Sequence, residues 1–326
     1  MTVPIIRALT NQHPDCKITV VSKPFLKPLF VGLKNVSFFA ADVNKKHKGV
    51  FGLYRLFKEL NPKRITHIAD FHNVLRSKIL RTFFKFYGKP IEFIDKGRTE
   101  KKALTRLENK IFKQLKTSHQ RYADVLAKLN FEIDISNPKE VKQKPLSKKL
   151  NSLFGNKENK WIGIAPFAAF KGKVYPLILM EKVINKLSSE GHQIYLFGGG
   201  QKEIETLHSL EKKYSNTKSV AGHISFSDEL EFISHLDLMI SMDSGNAHLA
   251  AMKGIKTITL WGVTHPYAGF APFNQPEDFC LLPDLEKYPK IPCSVYGNKV
   301  FDGYENVMET ITPEKIIDTV MTVLKE

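Results

Sequence analysis

Residues 236–261 constrain the fold of this chain more than any other stretch. Leu236 to Ile240 is an apolar run that reads as a buried strand. The segment Ser241-Met242-Asp243-Ser244-Gly245-Asn246-Ala247-His248-Leu249-Ala250-Ala251-Met252-Lys253-Gly254 then turns through small residues into a short helix closed by Gly254, and Thr257 to Trp261 is a second strand. A strand, a crossover helix and a strand make a parallel βαβ unit. The turn also has the makings of an anion site. First-turn amides have no partner within a helix, and the helix dipole favours negative charge there. Asp243 or Ser244 can cap the helix, Gly245 lets a ligand approach the backbone, and His248, one turn in, can donate to a phosphate. On spacing alone the pattern serves a capped helix in an ordinary βαβ unit equally well.

Strands and helices alternate over most of the chain. The readings before residue 137 are strands at Lys17–Ser22, Arg64–Ala69 and Ile91–Ile94, a helix over Val74–Tyr87, and a largely helical Ala103–Leu129. After residue 160 they are strands at Trp161–Ala165 and His192–Phe197, and helices at Pro176–Glu190, Lys202–Tyr214, Ser227–His235 and Pro313–Lys325. Two such arrays imply two doubly wound parallel sheets facing a cleft, with ligands outside the carboxyl ends of the strands. The expected division is one domain over 1–136, a Lys-rich linker over 137–160 with a short amphipathic turn around Leu146–Phe154, and a second domain over 161–326. The first array opens directly on a helix, Thr2 to Asn11, with no strand before it, so its sheet is expected to be incomplete, with a gap.

Charge is unevenly placed. The formal net charge is +16, yet residues 1–160 hold 34 Lys+Arg against 13 Asp+Glu, while residues 161–326 hold 15 against 20. The basic half is suited to a phosphate-rich partner, whether nucleic acid, an anionic membrane leaflet or an acidic glycolipid. Phe83, Phe84, Phe86 and Tyr87 interleave with basic residues, but at helical spacing they read as core, and nucleic acid is not expected. Cys16, Cys280 and Cys293 are too few and scattered for a disulfide framework, which suits a reducing compartment. No segment approaches the ~18 apolar residues needed to cross a bilayer, and no signal-like block opens the chain. These features suit the cytoplasm, with the basic half able to make peripheral contact with an anionic membrane leaflet.

Residues 241–249 resemble the Asp-Thr/Ser-Gly-x-x-His signature of the heptosyltransferase family, glycosyltransferase family 9. Other segments match in the same order. Asp70-Phe71-His72-Asn73-Val74-Leu75-Arg76-Ser77 resembles an acceptor-side segment, and Ala165 to Pro176 a loop ending in Lys-x-Trp-Pro. Phe197-Gly198-Gly199-Gly200 resembles the donor turn, Gly262-Val263-Thr264-His265-Pro266 the Gly-Pro-Thr-x-Pro motif, and Pro292-Cys293 with Gly297-Asn298-Lys299 the tail. The resemblance implies a GT-B fold and inverting, metal-independent transfer of heptose, or a related sugar, from ADP-heptose to the inner core of lipopolysaccharide. Family members open with a strand and a Gly-Asp loop that is not found here. With it goes the Asp usually assigned as general base, and the expectation is a start lying upstream of Met1. Ala168-Ala169 stand where relatives often carry hydroxyl residues.

Glycosyl transfer from a nucleotide sugar loads negative charge onto the departing diphosphate, so donors fixed around it accelerate the step. The sequence shows no Asp-x-Asp and no His/carboxylate cluster of ligand spacing, so no metal and no cofactor are expected beyond the ADP-sugar substrate. Donor binding is assigned to Lys173, Gly199, Gly200, Asp243, Ser244, Gly245 and His248. Asp70 and His72 are the candidate bases, with Asp70 also able to cap the following helix, and Arg76, Lys96 and Arg98 are the candidate acceptor contacts. Alternative readings are a nucleotide-sugar 2-epimerase and a catalytically impaired binder of anionic glycolipid.

Overall fold

The computed structural model describes residues 1–325. In chain order the elements are α1 (Thr2–Gln12), β1 (Ile18–Ser22), β2 (Val36–Ala40), α2 (Gly49–Glu59), β3 (Ile68–Asp70), α3 (Leu75–Phe86), β4 (Ile91–Phe93), α4 (Arg98–Thr105), α5 (Ser118–Ala127) and α6 (Lys148–Phe154). They continue with β5 (Trp161–Ala165), α7 (Leu177–Ser189), β6 (Gln193–Leu196), α8 (Gln201–Lys213), β7 (Thr217–Ser219), α9 (Phe226–Ile233), β8 (Leu238–Met242), α10 (Gly245–Ala251), β9 (Lys256–Leu260), β10 (Cys280–Leu281) and α11 (Pro313–Lys325). They form two compact units, one of residues 1–97 and 116–139, the other of residues 98–115 and 140–326.

The C-terminal unit is built on a six-stranded parallel sheet of order β10-β9-β8-β5-β6-β7. Strands β5 and β8 are buried at every residue, as expected where helices cover both faces. Alternate side chains serve the two faces. Ile162, Ile164, Leu238 and Ile240 pack with residues of α7, α8 and α11, whereas Trp161, Ala165 and Met239 pack with residues of α6, α9 and α10. Strand order reverses about β5, whose neighbours are β6 and β8. The carboxyl ends of β5 and β8 are therefore where a doubly wound sheet holds its ligand.

In the N-terminal unit β1 pairs with β2 and β3 with β4, both in parallel. No ladder joins the two pairs among the described residues. Helix α1 buries Ile5 and Leu9 against Leu126 of α5. Helix α2 buries Leu53 and Leu56 in a cluster that also takes Ile79, Leu80 and Phe83 of α3. At Gly52 an added Cβ would lie 2.4 Å from the His47 carbonyl carbon, so only glycine lets the chain fold back there.

Two stretches depart from the sequence reading because of burial. Residues 103–129 are not one long helix. Asn109 takes a left-handed conformation (φ 48°), and the Leu115 N–H donates to the Tyr267 carbonyl. Leu104 and Leu115 are buried with Ala268, so burial overrides helical propensity and residues 98–115 join the C-terminal unit. Within the expected linker, α6 buries Leu150 and Phe154 in the same cluster as Trp161 and Phe232. It is a layer of the C-terminal unit rather than a free tether.

Candidate functional site

Each loop at the carboxyl edge of the C-terminal sheet is held by a neighbour. After β5 the chain runs to a single tight turn, Lys171–Lys173. Tyr175 anchors the far end: its ring is fully buried, its N–H donates to Met242 Sδ and its hydroxyl donates to the Ile311 carbonyl. The Val263 N–H donates to the Gly172 carbonyl, and the Cys293 N–H to the Val263 carbonyl. A Cβ on Gly262 would fall 2.1 Å from the Gly172 carbonyl oxygen, so glycine at 262 is a condition of this contact. The Lys-x-x-Pro, Gly-Val-Thr and Pro-Cys segments, up to about 120 residues apart in sequence, are thereby fastened together.

This arrangement delivers Lys173 to Asp243. Lys173 Nζ donates to the Asp243 carbonyl at 2.6 Å and lies 3.3 Å from its Oδ2, both side chains being about nine-tenths buried. The Thr264 hydroxyl donates to the same Oδ2 at 2.9 Å. The stem of Lys173 crosses Gly297, where a Cβ would lie 2.6 Å from Lys173 Cγ and where φ is +86°. The Asp243 carboxylate is thus a fixed acceptor for Lys173 and Thr264 and not the cap of α10. Ser244, at the N-cap position, makes no side-chain cap either. Its hydroxyl shares a hydrogen bond with Ser241 Oγ at 3.1 Å. Beyond its chain neighbours and the backbone of α10 itself, nothing lies within 4 Å of the position a Gly245 Cβ would take, so there is room for a ligand over the start of α10. His248 is half-buried one turn further on.

The glycine turn after β6 behaves differently. The Gly199 N–H donates to Glu203 Oε2 at 2.8 Å, and Gly200 is the N-cap of α8 with φ +87°. A carboxylate already answers this helix start, so Gly199 and Gly200 do not form an empty anion cradle. The side chains best placed for an anionic ligand in this unit are those around Asp243–Gly245.

In the N-terminal unit the candidate bases part company. Asp70 Oδ1 accepts the N–H groups of His72 and Asn73 at 2.9 and 2.8 Å, and its Oδ2 lies 3.3 Å from Arg81 Nη1. Asp70 is buried and organises the turn, which Asn73 ties to the Ile94 carbonyl. His72 is exposed. Partial desolvation lowers its pKa below the usual 6.5, and the positive charges of Lys96, Arg76 and Lys23 add to the effect against the opposing Asp70. The residues that follow β1, β3 and β4 thus bring positive charge to bear on the His72 imidazole. Lys23 was missed by sequence reasoning because nothing local marks it. Arg98, exposed at the start of α4, belongs to the other compact unit.

Although the sequence shows no His/carboxylate grouping of ligand spacing, the fold brings His208, Glu211 and His223 together in the C-terminal unit.

The decisive comparison is with protein families: the model described as "Glycosyltransferase family 9 (heptosyltransferase)" matches residues 53–296. The chain belongs to glycosyltransferase family 9. This family 9 enzyme is 27% identical over 289 residues to lipooligosaccharide heptosyltransferase 2 of Haemophilus influenzae, covering 82% of this chain and 80% of that one. It is 26% identical to lipooligosaccharide heptosyltransferase 2 of Campylobacter jejuni, covering all of this chain and 94% of that one. The crystal structure of a family 9 glycosyltransferase from Veillonella parvula matches with a TM-score of 0.73 at 17% identity, over 99% of this chain and 92% of that one. The fold is the GT-B fold of heptosyltransferases, and the protein is a glycosyltransferase. No helix among the described residues is long and apolar enough to cross a membrane.

Proposed function

We propose that this enzyme transfers heptose, or a closely related sugar, from ADP-heptose to the inner core of lipopolysaccharide, with inversion and without a metal at the diphosphate. The observation that carries the reading is the Lys173–Asp243–Thr264 network beside the uncapped start of α10, at the carboxyl ends of β5 and β8. Two of the three Lys173 N–H donors face Asp243, which fixes the ammonium in place. The third, with the amides at Ser244 and Gly245 and the His248 ring, is assigned to the diphosphate. Fixed donors of this kind stabilise the charge that develops on a leaving group.

The attacking hydroxyl oxygen forms its bond to the anomeric carbon as the carbon–oxygen bond to the diphosphate breaks. ADP leaves, and the hydroxyl proton goes to a base. We assign that base to His72: it is exposed and neutral at pH 7, whereas the carboxylate of Asp70 is committed to two amides and Arg81. Arg76 and Lys96, joined by Lys23, are assigned to the anionic groups of the acceptor. The same basic half, with exposed Phe51 and Phe86, is suited to an acceptor embedded in the cytoplasmic leaflet. The family match favours transfer over the epimerase and binder alternatives.

The test has two arms. ADP in the presence of a chelator should raise the unfolding temperature, and ADP release from ADP-heptose should require a delipidated core acceptor, giving a product of inverted anomeric configuration by NMR. An absolute requirement for magnesium in turnover, or release of ADP that ignores the acceptor, would refute the reading.

A further inference from the structure

We propose that His208, Glu211 and His223 form a binding site for a borderline divalent transition ion, zinc foremost, that fastens α8 to the turn after β7. The residues reach one another through the fold. His208 and Glu211 are three apart on α8 and so share a face. Strand β7 ends at Ser219, and the chain turns at Gly222 (φ +81°), where an added Cβ would meet Ile204 of α8 at 3.3 Å. That approach lays the turn along the helix and sets the His223 ring 5.0 Å from the His208 ring, inclined at 43°.

One potential ligand atom from each residue lies within 4.8 Å of the other two. Some point therefore lies within about 2.8 Å of all three, against bonds of ~2.0–2.2 Å to zinc, so small rotations of partly exposed side chains complete the site. His208 Nε2 is shielded from solvent and has no hydrogen-bond partner. Glu211 forms no ion pair or hydrogen bond among the described residues, so neither group is engaged elsewhere. Two imidazoles and one carboxylate suit zinc, cobalt or nickel better than magnesium or calcium, and leave a fourth position for water. The site stands two turns along α8 from the glycine turn. It is independent of which sugar the enzyme moves, and its role is to hold the turn to the helix.

The test uses the full chain stripped with a chelator and titrated with zinc ion against a fluorescent competitor. One ion per chain is expected, with a rise of about 4 °C in unfolding temperature. His223→Ala removes an exposed side chain and leaves the fold intact by circular dichroism. It is expected to weaken binding about 100-fold or more, beyond what loss of an outer-shell partner costs, and to abolish the thermal shift. Glu211→Gln should weaken binding less, and His192→Ala should leave it unchanged. Cobalt(II) should give the visible absorption of a low-coordinate histidine site in the parent and not in His223→Ala. Failure to bind one ion, or binding that survives both His208→Ala and His223→Ala, overturns the proposal. Turnover is expected to persist in chelator while the unfolding temperature falls.

Discussion

Lys173 depends on a space that glycine keeps open. Its ammonium is fixed by Asp243 and its stem passes over Gly297. Lys173→Ala should lower kcat/KM on the order of 10²-fold, the usual cost of a lost charge-stabilising donor, and destabilise the unit by about 1–3 kcal/mol because the half-satisfied Asp243 stays behind. Arginine is not expected to substitute, since its planar fork does not match a compact ammonium held by Asp243 on a stem that passes against Gly297. Gly297→Ala puts a methyl group against that stem at a positive φ, and steady-state kinetics should show the Lys173 defect in milder form. His72 makes a separate prediction. Its pKa lies below 6.5, so the neutral base persists as pH falls past 6.5 and is lost only below the depressed value. The acid limb of the kcat/KM profile should therefore lie below 6.5. His72→Gln should remove that limb and cost about 10²-fold or more, whereas an unchanged limb in the variant would assign the proton to another group.

At the scale of elements, α6 and α9 hold the second face of the C-terminal sheet through one aromatic cluster. Phe232 is fully buried with Phe154, Trp161 and Tyr195 around it at centroid distances of 4.5, 5.2 and 4.7 Å. Phe232→Ala should cost about 3–5 kcal/mol, read from the urea midpoint, and should loosen α6 as well as α9. The elements with a strong local period were legible in the sequence: β5, α7, β6, α8, β8, α10 and α11 fall within a few residues of their expected positions. Those that went unnoticed are short or locally ambiguous. Strand β7 has three residues, β10 two, and α2 begins and continues through glycines, while the five-residue β2 lacks a strict alternation in burial, so their existence rests on neighbours in space.

For the whole molecule, two buried histidines make stability fall in acid. Desolvation lowers the pKa of His119, in the N-terminal unit, to about 3, and that of His265, in the C-terminal unit, to about 4. Unfolded histidine takes up its proton near 6.5, whereas these folded rings do so only at the lower values. Between those limits the unfolded chain binds more protons, so stability falls as pH falls through the window. The urea midpoint should drop between pH 7 and pH 5, and His265→Asn should flatten the part of the slope that arises in the C-terminal unit. The sequence alone determined the parallel α/β class and the loops that carry Lys173 and Asp243, because alternation, helical period and small-residue turns are local signals. Only the tertiary structure decided that Asp243 binds Lys173 and Thr264 rather than capping α10, and that Glu203 occupies the glycine turn. It alone also grouped residues 98–115 with the C-terminal unit and placed His223 beside His208 and Glu211. Those outcomes depend on strand order and burial between segments far apart in the chain, which no local pattern encodes.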